Sequence, residues 1–133
     1  MTLTDTDARH KYDLIFQGLL GGSAKVEARY VPSGKKMKTL HFSQGDKINI
    51  RILGPDADAA SMASVQVDFT VVSAPTASPL GDGSKACFVW HAGERYTETV
   101  HANGIWSFGA VLTAKDKQTY TLPDPEFQVG DGG

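Results

Sequence analysis

The chain has 133 residues, 13 basic against 15 acidic side chains and a formal charge of -2. That length suits one domain with a sizeable core, and the near-balanced charge leaves no basic footprint for nucleic acid or an anionic membrane surface. A single cysteine, Cys87, excludes an internal disulfide, no apolar run approaches the roughly 18 residues of a membrane span, and the first twenty residues lack the apolar core of a secretory signal. The expectation is a soluble protein of the reducing cytoplasm.

In chain order, residues 1–10 are mostly polar, with Asp5 and Asp7 among threonines, and read as a flexible arm. From Tyr12 the pattern becomes that of strands. Tyr12, Leu14 and Phe16 share one face, and Val26, Ala28 and Tyr30 alternate with Lys25, Glu27 and Arg29. Leu40 and Phe42 mark a short strand, and Ile48, Ile50 and Ile52 alternate with Lys47, Asn49 and Arg51 in the clearest amphipathic stretch. Gly21-Gly22-Ser23, Pro32-Ser33-Gly34 and Gln44-Gly45-Asp46 punctuate these strands with turn chemistry. Lys35, Lys36 and Lys38 beside such a turn read as a solvated loop tip.

Residues 54–63 read as a loop with room for one helical turn, and Val65, Val67, Phe69 and Val71 as another half-buried strand. The Pro, Ala, Ser, Thr and Gly run over 73–84 predicts a long loop without strand pairing. Thr119–Leu122 and Glu126–Val129 are the last extended pieces; Pro123 and Pro125 place the second of them at a sheet edge or hanging over one. Residues 130–133 read as a flexible tail, leaving 11–129 as a single domain.

The stretch 85–115 holds both tryptophans and the cysteine. Residues 86–90 predict a strand with Ala86, Phe88 and Trp90 on one face and Cys87, Val89 and His91 on the other. In 105–112, Trp106, Phe108, Ala110 and Leu112 share a face opposite Ile105 and Val111. Asn103-Gly104 reads as the turn of a hairpin joining 96–102 to this strand. A three-residue loop, with Gly104 left-handed, pairs Val100 with Trp106 and gathers Tyr96, Val100, Trp106 and Phe108 on one face.

His10, His41, His91 and His101 match no compact ligand spacing for a metal. Asp56, Asp58 and Asp82 lack the further acidic positions of a calcium loop and suit turns instead. No Gly-x-Ser-x-Gly turn is present, Cys87 sits in an apolar strand, and the glycines of 18–22 lack the ending of a phosphate loop. No enzyme activity, cofactor or metal is therefore expected.

About eight or nine short strands at 8 to 12 residue spacing predict an all-β, two-sheet antiparallel sandwich, immunoglobulin-like in general plan, with a small closed β-barrel as the alternative. The doubly apolar strands point to a binding or assembly module. Cys87, Val89, Ile105 and Val111 are then left for a homo-oligomer contact or a protein partner, unless a loop covers them. The competing reading is a carbohydrate or other small-molecule domain that stacks its ligand on Trp90, Tyr96 or Trp106, with Asn103, Glu94 and Arg95 nearby. Exposure of the tryptophans separates the two.

Overall fold

A computed structural model of the protein describes residues 11–123 and 125–130. The expected arm over 1–10, with His10, and residues 131–133 of the expected tail lie outside the described residues. Gly130, placed at the start of that tail, is tied down: its N–H donates to Phe42 O at 2.9 Å.

Among the described residues there are ten strands and no helix. They are β1 (Lys11–Gly18), β2 (Ala24–Val31), β3 (His41–Phe42), β4 (Lys47–Leu53), β5 (Met62–Ser73), β6 (Cys87–His91), β7 (Thr97–Thr99), β8 (Gly104–Ala114), β9 (Thr119–Leu122) and β10 (Glu126–Val129). One sheet runs β2-β1-β4-β7, and the other runs β3-β10-β8-β5-β6 with β9 also pairing β8. The alternating apolar residues of both sheets meet in one core. Phe16 of the first sheet lies 6.2 Å from Trp90 and 6.5 Å from Phe108 of the second, and Tyr12 lies 5.1 Å from Phe42, ring centroid to centroid. Phe16, Val65, Trp106 and Phe127 are wholly excluded from solvent, and each large apolar side chain so buried contributes about 1.5–3 kcal/mol.

The sheets are mixed, not purely antiparallel as the sequence pattern implied. β1 runs parallel to β4, with Leu14 beside Ile50, and β10 runs parallel to β3. Parallel neighbours need a long crossover, here residues 19–46 between β1 and β4, and alternation along either strand reads the same in both directions. Nor do the strands close into a barrel. The bridge between Ser23 and Thr121 joins the sheets at one corner.

The expected hairpin is also absent. β7 belongs to the first sheet, pairing with β4, while β8 belongs to the second. The chain crosses between sheets over 100–103, where Val100 N donates to Asp46 O at 2.9 Å and His101 N to Pro79 O at 2.7 Å. Val100, Trp106 and Phe108 do share the core, Val100 from the crossover and the two rings from β8. Gly104 has φ +152 rather than a left-handed turn value, and a Cβ there would stand 2.6 Å from the Cβ of Ala74. The loop after β5 returns one bridge, Leu80 to Val100, where no pairing was expected. Residues 54–61 form turns without a helical one, Asp58 Oδ2 accepting from Ser61 N at 3.2 Å.

β10 lies between β8 and β3, inside the sheet instead of at its edge. Proline cannot donate, but it can accept, and Pro125 O takes the Phe108 N–H at 3.0 Å, so the ladder survives across the interruption.

The Tyr12 phenol illustrates the core's electrostatics. Burial first, then the neighbouring charges of Asp46 and Tyr30, push its pKa from 10.0 to about 12. Below pH 10 the phenol is protonated in folded and unfolded chains alike and its stabilisation is complete. Between about 10 and 12 the unfolded chain gives up the proton first, so stability falls. Denaturant melts taken across this window should show that decline, and Tyr12→Phe should remove most of the slope.

Candidate functional site

A cleft of about 470 Å³ opens where β4 outruns its neighbour β7. β7 pairs only with Lys47–Asn49 of β4, and one further bond, Ile50 N to Tyr96 O at 3.1 Å, ends the contact. The chain before it, residues 91–96, turns away through Gly93 (φ +85), with Glu94 N donating to His91 O at 3.4 Å, and becomes a wall. Alternation along β4 turns Asn49, Arg51 and Leu53 outward to form the base, because Ile48, Ile50 and Ile52 are taken by the core.

The polar groups of that base are linked across three strands. Thr97 Oγ1 donates to Asn49 Oδ1 at 2.9 Å, and Asn49 Nδ2 to Asp13 Oδ1 at 3.4 Å. The Arg51 guanidinium stands 3.9 Å from Asp13 Oδ2 and is more than half exposed, a contact too long and too wet to hold it firmly. On the wall the half-buried Tyr96 ring is oriented through its hydroxyl, which accepts from His91 N at 3.3 Å and donates to Glu94 Oε1 at 3.5 Å. Arg95 is exposed and has no ion pair or hydrogen-bond partner among the described residues. The cleft thus offers donors, acceptors, both signs of charge and one aromatic face.

Tyr96, Glu94 and Arg95, named from the sequence as a possible ligand group, come together here. Asn103 does not; it lines a separate cleft of about 340 Å³ with Ser73 and Gly104. Trp90 and Trp106 are removed as stacking residues. They are 2% and 0% exposed, and their indole N–H groups are satisfied by Glu98 Oε2 at 3.2 Å and Thr76 O at 3.1 Å. Two aromatics on an inward face are what a sandwich core takes first. Asp13, Asn49, Arg51 and Thr97 were missed because they read as ordinary water-facing positions. Their outward direction was legible, but their adjacency depends on β1 lying parallel to β4.

The interface candidates lie on the outer face of the second sheet, but they do not form one patch. Val89 and Val111, 47% and 40% exposed, both stand opposite Gln66 of the intervening β5. Ile105 is half-buried and lies about 20 Å farther along β8, beside Gln128. Among the described residues Val89 and Val111 stay uncovered, while the loop over 74–86 starts beside Ile105 and then packs Ser78 and Leu80, both nearly solvent-free, near Val100.

Among the described residues no three His, Cys, Asp or Glu side chains converge as a metal site. His41 Nε2 hydrogen-bonds to Gly130 O, and His91 sits on the rim of the first cleft. Asp82 serves its turn: its Oδ1 accepts Ser84 Oγ at 2.6 Å and Ser84 N at 2.9 Å, which lower its pKa. No known family model matches the chain, and no curated protein is found to be similar to it.

Cys87 faces Asp68 across the β5–β6 pair. A hydrogen bond to that carboxylate, followed by burial and the carboxylate's charge, pushes the thiol pKa up. Thiolate is the reactive form, so Cys87 is a poor nucleophile at neutral pH. Alkylation by iodoacetamide at pH 7.5 should be slow and should accelerate several-fold in Asp68→Ala; equal rates in the two proteins would refute this coupling.

Proposed function

We propose that the protein is a non-enzymatic binding domain that takes a small polyhydroxylated ligand, of sugar size and character, in the cleft beside Tyr96. The observation that carries this reading is the run Thr97, Asn49, Asp13 and Arg51 along the base of a cleft whose wall presents a partly open Tyr96 ring. Sugars have hydroxyls that want planar amide, carboxylate and guanidinium partners, and C–H faces that lie well on an aromatic ring. The cleft volume of about 470 Å³ falls within the range of small-molecule sites. Leu53 supplies apolar surface at the end of the base. A reducing compartment suits the unpaired Cys87.

Self-association through the outer face of the second sheet as a whole has less behind it. Gln66 separates Val89 from Val111, and Ile105 is remote from both. Contiguous apolar surface is what such an interface needs.

A panel of neutral and acidic mono- and disaccharides titrated into isotopically labelled protein tests the cleft. Binding should move the resonances of Asn49, Tyr96 and Thr97, and Tyr96→Ala should weaken it by about tenfold, equivalent to roughly 1.4 kcal/mol. Val111→Ala should leave it unchanged. Silence at tens of millimolar sugar, or equal binding by Tyr96→Ala, would refute the assignment.

A further inference from the structure

Most sheet edges of this fold are short or already occupied. Along β2, Tyr30 N donates to Lys35 O at 2.9 Å and Met37 N to Ala28 O at 2.8 Å. On β9, Thr121 N donates to Gly22 O at 2.9 Å, while β3 and β7 have only two and three residues. β6 differs. It borders the second sheet with β5 on one side and, among the described residues, no strand on the other. Its sequence, Cys87-Phe88-Val89-Trp90-His91, contains no proline and no Lys, Arg, Asp or Glu, and its register with β5 has no bulge. Natural sheets use those devices to keep an edge from pairing.

The direction of its backbone groups follows from its neighbours. Phe69 N donates to Ala86 O and Ala92 N to Ala63 O, so the even-numbered residues bond inward to β5 and Cys87, Val89 and His91 point their N–H and C=O outward. His91 is already engaged, its N–H with Tyr96 Oη and its C=O with Glu94 N. Among the described residues nothing bonds the outward backbone groups of Cys87 and Val89.

We propose that β6 pairs antiparallel with β6 of a second copy of this chain, about a two-fold axis at Phe88. This register sets Cys87 opposite Val89 of the second copy and Val89 opposite its Cys87. Both are pairs that exchange N–H and C=O bonds, so all the free groups are used and the bonds of His91 are left alone. On the outer face the exposed Val89 meets the half-buried Cys87 of the other copy, apolar against apolar. No Lys, Arg, Asp or Glu within β6 opposes its like across the axis, and a formal charge of -2 per chain adds little long-range repulsion. An extended peptide needs the same alternation to fit this edge, whereas a second copy has it built in. The two sheets of β3-β10-β8-β5-β6 then run on as one across the axis.

Sedimentation velocity from micromolar to near-millimolar protein tests this pairing. The expected result is a dimer that dissociates on dilution. Val89→Lys should raise its Kd at least tenfold while leaving the melting temperature of the dilute monomer unchanged, and Val111→Lys should leave the dimer intact. Amide exchange at Cys87 and Val89 should slow as concentration rises. A monomer throughout, a dimer indifferent to Val89→Lys, or one broken equally by Val111→Lys, as stacking of outer faces would give, overturns the proposal. So does an edge that takes up an added extended peptide while the protein itself stays monomeric.

Discussion

Aromatic rings bridge the two sheets through the middle of a shared core, and much of the molecule follows from that contact. Phe16 reaches Trp90 and Phe108 across the sandwich and Tyr12 reaches Phe42, while within the second sheet Phe69 packs on Phe88, Phe108 and Phe127, and Phe42 stacks on Phe127 at 4.7 Å. Rings this large hold their strands in register, since a slip of one residue would carry a whole apolar row into water. With the inward positions of β1 and β4 committed to this core, Asp13, Asn49 and Arg51 must point outward, side by side. The polar base of the cleft is therefore the reverse side of the core.

The cleft itself comes from a mismatch of lengths. β4 has seven residues and β7 three, and Trp90 is fixed just before the intervening turn by its bond to Glu98. The turn over 91–96 has to rise from an edge strand of one sheet to an edge strand of the other. Tyr96 is placed by both ends of this geometry: its backbone carbonyl closes the β4 edge at Ile50, and its hydroxyl accepts the His91 N–H. A ring so held is oriented before any ligand arrives, which lowers the ordering cost of binding. The same His91 bonds limit the free groups of β6 to Cys87 and Val89, so the cleft wall and the sheet edge share one residue.

Much of the strand pattern was legible locally. β9 and β10 coincide with the pieces read between Lys115 and Gly130, and β4 alternates as Ile48, Ile50 and Ile52 require. Tyr96, Glu94 and Arg95 could be singled out because an aromatic face with polar groups nearby is what a sugar site needs. Trp90 and Trp106 misled for the opposite reason: an indole serves a core and a binding face equally well, and only burial separates the two uses. Asn103-Gly104 carried a strong hairpin signal, yet its flanking strands lie in different sheets. Backbone bonds from Val100 to Asp46 and from His101 to Pro79 outweighed the local turn preference.

By itself the amino-acid sequence determined which residues lie on which face of each strand, because side-chain alternation is a local consequence of extended backbone. It also determined that the chain is all-β, through β-branched and aromatic runs broken by glycine and proline. Only the tertiary structure decided which strands are neighbours, that β1 and β4 run parallel, and that β6 ends a sheet. Backbone N–H and C=O groups are the same at nearly every residue, so they record no partner until long-range packing of the rings brings two strands together. Asp13, Asn49 and Thr97 become one linked row, and Cys87 and Val89 become an open edge, through that packing alone.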